Sequence, residues 1–102
     1  MRPTLRPGDR LLVDPRAYHD RPPSVGDIVV LHDPELAGRL LVKRVASLDP
    51  DGVRVVGDDL SRSRDSRAFG PVPVATLVGR AYRIYAPVER RRELTPDPGV
   101  DR

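Results

Sequence analysis

The clearest pattern in the chain is the apolar run Ile28-Val29-Val30-Leu31, launched by Gly26-Asp27 and stopped by His32-Asp33-Pro34. Its β-branched, apolar character reads as the core of a strand. Shorter segments of the same kind flank it. Arg10-Leu11-Leu12-Val13 follows the turn Pro3-Thr4-Leu5-Arg6-Pro7-Gly8-Asp9 and reads as a first strand, with residues 14–25 as a loop. Arg39 to Val45 forms the next strand. Asp49-Pro50-Asp51-Gly52 is a reverse turn that joins it to Val53-Arg54-Val55-Val56 as an antiparallel hairpin. Residues 57–70 make a long polar loop, and Val72 to Val74 leads into Thr76 to Arg80 and a last strand running on through Tyr85. No segment carries an apolar period of 3.6 over twelve residues. The expected fold is therefore all-β, with five or six strands closed as a small barrel, long loops and little helix.

Composition narrows this picture. A chain of 102 residues is one domain, and 12 prolines with 8 glycines suit a turn-rich β protein. The longest apolar run, four residues at 28–31, is too short to span a bilayer. Met1 is followed directly by Arg2 and Pro3, which is not a signal peptide. With no cysteine, disulfides, zinc–thiolate centres and cysteine nucleophiles are excluded. The net charge is +3, with positive clusters at Arg62, Arg64 and Arg67, at Arg80 and Arg83, and at Arg90 to Arg92. Aromatic residues make up only 4% and no helix-turn-helix pattern is present, so no nucleic-acid partner is expected. Of 18 basic residues, 17 are arginine, and Asn and Gln are absent, as a GC-rich genome would give. That bias does not explain the position of the one lysine, Lys43.

Within Leu40-Leu41-Val42-Lys43-Arg44-Val45, alternation sets Leu41, Lys43 and Val45 on one face and Leu40, Val42 and Arg44 on the other. If the first face is the core, desolvation penalises the ammonium and leaves a neutral amine as a general base. If it is not, Lys43 is a snorkelling surface lysine. The loop Gly57-Asp58-Asp59-Leu60-Ser61-Arg62-Ser63-Arg64-Asp65-Ser66-Arg67 is dense in short polar side chains that suit either a buried polar turn or a solvated one. Its hydroxyls could orient a lysine, and Asp65 could pair with Arg67. No serine has a context that marks it as a nucleophile. His19 and His32 show no ligand spacing, so no metal site and no cofactor are expected. Gly8-Asp9, Gly26-Asp27 and Gly57-Asp58 recur as turns, the first two before strands.

Taken together, four blocks resemble the type I signal peptidases and related serine/lysine-dyad peptidases. They are Met1-Arg2-Pro3-Thr4-Leu5 with Pro7-Gly8-Asp9, then Gly26-Asp27-Ile28-Val29, then Lys43-Arg44-Val45, then Gly57-Asp58-Asp59 through Ser63-Arg64-Asp65-Ser66-Arg67 to Phe69-Gly70. Order and spacing agree over residues 1–80. The small size also resembles proteases similar to the nickel superoxide dismutase maturation proteases. Asp59 departs from the family's usual Asn.

The resemblance implies a signal-peptidase-like catalytic β domain over residues 1–88, truncated at its N-terminus, and a charged, disordered tail over 89–102. It implies Lys43 as general base, Ser63 as the serine that orients it, and Asp65 with Arg67 as site support. Pro3, Gly8, Asp9, Gly57 and Asp58 would be motif turns, and Ile28, Val30, Leu41 and Val42 walls of a substrate pocket. The family's nucleophile is a serine directly before the Met-x-Pro-Thr block, so it is expected one residue upstream of Met1, outside this chain. A start assigned late, or a short inactive paralogue that binds peptide through the retained groove, each accounts for that. The implied activity is cleavage of signal or pro-peptides after small residues, with a peptide or pro-protein substrate as partner and the protein a monomer. Membrane attachment would come only through an anchor before Met1. The chain as given would be soluble and cytoplasmic by default, whereas longer family members are usually anchored with the catalytic domain outside.

Overall fold

The computed structural model describes Leu5 and residues 8–57 and 70–94. Among them are six strands: β1 (Arg10–Asp14), β2 (Ile28–His32), β3 (Leu40–Asp49), β4 (Gly52–Val56), β5 (Leu77–Ala86) and β6 (Arg92–Glu93). Two 3-10 turns, Val74–Thr76 and Val88–Arg90, are the only helical segments described. All the strand pairs are antiparallel, in the order β1-β5-β2-β3-β4, and β6 pairs with β5 at Arg83 and Ile84.

The central strand explains the layering. β2 is an unbroken apolar run rather than an alternating one because both of its faces are covered. Val29 and Leu31 join Leu41, Val45, Val53, Val55 and Val72 in one buried cluster, capped by Tyr18 and Leu77. Ile28 points to the opposite face, where it meets Leu5, Ala81, Ile84 and Leu94, with Leu11, Val13 and Val42 around them. Val29 and Leu31 are fully buried, and burial of each such side chain contributes roughly 1.5–3 kcal/mol. The β3–β4 hairpin closes through Asp49 and Gly52, with Arg54 paired to Asp49 across it. Gly52 has φ of 138°, and a Cβ there would overlap the Val72 carbonyl. This is a position for glycine on both counts.

The strand content matches the expected all-β class, but the expected closed barrel is not formed. Closure would require β1 and β4, the two ends of the strand path, to pair, and they do not. The outer edge of β4 is instead met by Val72, which exchanges backbone hydrogen bonds of 2.7 and 2.8 Å with Val53. Pro71 and Pro73 flank Val72 and offer no N–H, so this pairing stops after one residue. The result is an open sheet with a cluster on each face rather than one enclosed interior. The segment expected to leave the domain at residue 89 carries β6, and Leu94 after it is buried in the second cluster. Residues 95–102 lie outside the described residues.

Leu31→Ala should lower unfolding free energy by about 2–5 kcal/mol in urea titrations. Leu36→Ala, at a half-exposed loop position, should change it by less than about 0.5 kcal/mol.

Candidate active site

Lys43 sits near the middle of β3, directly opposite Val29 of β2. Paired residues in an antiparallel ladder share a face, so Lys43 stands on the side of Val29, Leu31, Leu41 and Val45. It is 7% exposed. Arg44 turns to the other face, is also buried, and donates from Nη1 to the Gly26 carbonyl at 2.7 Å. Two adjacent cations are thus buried on opposite faces of one strand.

The Gly26-Asp27 turn holds this arrangement in register. The Gly26 N–H donates to the Val45 carbonyl at 2.8 Å, and the Val45 N–H donates to the Asp27 carbonyl at 2.8 Å. These bonds extend the β2–β3 ladder past its Ile28–Arg44 step and lie two residues from Lys43. The Asp27 carboxylate is buried and accepts at Oδ2 from the Tyr18 hydroxyl at 2.8 Å and the Ser24 N–H at 3.0 Å. Burial and this carboxylate push the Tyr18 phenol above its ordinary value, against a smaller opposing pull from Arg80 and Arg21. Gly8-Asp9 repeats the logic. Gly8 turns at φ of 93°, and Asp9 accepts a bidentate pair from Arg90, Nε to Oδ1 at 2.6 Å and Nη2 to Oδ2 at 2.8 Å. In each, the glycine makes the turn and the aspartate anchors it, Asp27 to the loop just before it and Asp9 to Arg90, 81 residues away. Gly57 is buried at the end of β4.

Beside Tyr18 and Asp27 lies a cleft of about 260 Å³, lined also by Arg21, Pro22, Ser24 and Arg80. Arg80 reaches it from β5, opposite Val29. A second cleft on its other side is lined by Val13, Asp14, Pro15 and Tyr82, with the guanidinium 6.0 Å from the Tyr82 ring centroid.

The sequence-predicted residues divide into three groups. Lys43 and Leu41 share a face. Ile28, Val30 and Val42 back the sheet from the other side, because each is one residue out of step with the Val29–Lys43 pair. Pro3, Asp58, Ser63, Asp65 and Arg67 lie outside the described residues. β4 ends at Val56, opposite Arg44 and so one residue out of step with Lys43. Sequence reasoning did not single out Val29 as the partner of Lys43, the Tyr18–Asp27 bond or the Asp9–Arg90 pair. The repeated Gly-Asp was the available signal for the last two. No group of His, Asp or Glu among the described residues has the arrangement of a metal site, and no helix among them is long and apolar enough to cross a membrane.

Comparison with known proteins follows the same residues. The family model described as "Signal peptidase, peptidase S26" matches residues 1–61 and 53–86. The chain is similar to the probable signal peptidase I-1 of Synechocystis, at 32% identity over 92% of this chain and 70% of that protein. It is similar to the signal peptidase I of Leptolyngbya laminosa at 30% identity, over 96% and 70%. A mitochondrial ATP-independent inner membrane protease subunit 1b of Arabidopsis thaliana gives 33% identity, over 96% and 72%. No solved structure gives a significant match.

The Tyr18–Asp27 bond has a measurable consequence. Tyr18→Phe should cost about 1–2 kcal/mol at neutral pH by removing one donor from a buried carboxylate. Because the folded-state value of Tyr18 is raised, its contribution is full below the unfolded phenol value of about 10 and declines as pH climbs beyond it. Urea titrations from pH 8 upward should show that alkaline decline in the native protein and a smaller one in Tyr18→Phe.

Proposed function

The chain belongs to the signal peptidase S26 family, and on that premise we propose that it is the catalytic domain of a serine endopeptidase that uses Lys43 as its general base. The observation that supports this most is the burial of the one lysine of the chain on an apolar sheet face. An arginine-rich surface needs no lysine there, and a buried ammonium is costly. Desolvation favours the neutral amine, the form a general base requires.

In this reading the nucleophile is a serine joined directly before Met1. Leu5 packs in the cluster that also holds Ile28, and Ile28 is opposite Arg44, next to Lys43. The amine takes the hydroxyl proton as the serine oxygen attacks the scissile carbonyl. The tetrahedral intermediate collapses to an acyl-enzyme, and the proton passes from Lys43 to the leaving amine. Water, deprotonated by the same amine, then releases the acyl group. Ser63 orients Lys43, and Asp65 with Arg67 supports the site. Leu41 stands on the face of Lys43 as the pocket wall there, and the substrates are signal or pro-peptides with small residues at the first and third positions before the bond.

Lys43→Arg keeps the charge but removes a dissociable proton. In the protein as its own cells make it, with its N-terminus mapped, this change should reduce peptide cleavage by about 10²- to 10⁴-fold, and Ser→Ala before Met1 should do the same. Unchanged cleavage in Lys43→Arg would overturn the assignment. Peptide binding without cleavage in the native protein would leave a non-catalytic binding module.

A further inference from the structure

We propose that Arg90 is a positioning residue that, together with Leu94, holds the N-terminal arm of the domain and so sets where the nucleophile sits. This rests on the reading that the nucleophilic serine is joined directly before Met1. The arm has two described anchors. The Asp9 side chain is 3% exposed and accepts the Arg90 fork at 2.6 and 2.8 Å. Earlier in the arm, Leu5 is buried in the cluster that also holds Leu94. Both partners come from one stretch, the Val88–Arg90 turn and β6 with the residue after it. Only Met1 to Thr4 lie between Leu5 and that serine, so the place of Leu5 bounds where its hydroxyl can reach.

The stretch is itself fastened to β5. Its backbone pairs Glu93 with Arg83 and Arg92 with Ile84, and the Leu94 N–H donates to the Tyr82 carbonyl at 3.0 Å. Arg91 donates from Nε to the Tyr85 carbonyl at 3.0 Å. The Arg90-to-Arg92 run, which charge alone would offer to an anionic partner, is thus engaged with the chain itself at Arg90 and Arg91. β5 also pairs with β2, the strand that faces Lys43, so the clamp and the lysine are carried on one sheet. The two anchors differ in kind. Burial of Leu5 sets the depth of the arm against the sheet and leaves it free to turn. A planar guanidinium bonded to both oxygens of a desolvated carboxylate fixes orientation as well, and it does so immediately before β1 begins at Arg10.

Peptide-cleavage kinetics of the protein as its own cells make it test this, with the folded fraction of each variant taken from urea titration. Arg90→Gln should lower kcat about 10- to 100-fold, as misplacement of a reacting group does, with KM changed by less than about twofold. Arg90→Lys, which keeps the charge without the fork, should recover part of that loss. Asp9→Asn combined with Arg90→Gln removes both charges and so avoids an unpaired buried carboxylate. Its stability should return while its kcat stays low. Arg83→Gln breaks the exposed pair to Glu93 in the same stretch and should leave kcat within about twofold. Native kcat in Arg90→Gln or in the folded double variant, with Lys43→Arg inactive, would overturn the clamp and leave the peptidase reading intact. An equal loss in Arg83→Gln would do the same. Full cleavage by Lys43→Arg, or none by the native protein, would overturn both.

Discussion

The register between β2 and β3 is the constraint on which the rest of the molecule depends. Side chains alternate with a period of two, so a slip by one residue would exchange Lys43 for Arg44 on the first cluster and turn Leu41 and Val45 outward. The backbone exchange between the Gly26-Asp27 turn and Val45 and the Arg44 bond to Gly26 both oppose that slip. The buried Asp27 in turn depends on Tyr18 and Ser24. A short Gly-Asp motif with no chemistry of its own thereby determines which cation faces the apolar interior. On the opposite face, Leu5 and Leu94 pack together, so both ends of the described chain depend on the same central strand.

Much of the architecture was legible because it is local. The strand around Ile28, the Asp49-to-Gly52 hairpin and the last strand through Tyr85 follow from β-branched runs and turn residues, and they stand where expected. Closure into a barrel is not local. It depends on whether two edges meet, and no period along the chain encodes the Val53–Val72 bridge. The Asp9–Arg90 pair joins residues 81 apart in sequence and draws in a segment whose charge alone suggested a tail.

The site was legible in part, and register marks the boundary. Alternation within β3 correctly set Lys43 with Leu41 and Val45, but it cannot say which residues of β2 lie opposite. Ile28 and Val30 qualify as pocket walls by apolarity alone, and the Val29–Lys43 pairing puts them on the far face. The placing of Arg80 and Lys43 on either side of Val29 is likewise a property of three strands together. Ser63, Asp65 and Arg67 lie outside the described residues, and their roles rest on the family resemblance.

We propose that the burial of Lys43 is what lets its amine act as a base. A pH titration of the ¹³Cε signal in the lysine-labelled chain tests this directly, because one lysine gives one curve. A general base at Lys43 should give a midpoint well below the ordinary lysine value of about 10.4, with the neutral amine populated near neutral pH. A midpoint at or above that value would mean that Lys43 is held as an ammonium and is not the base.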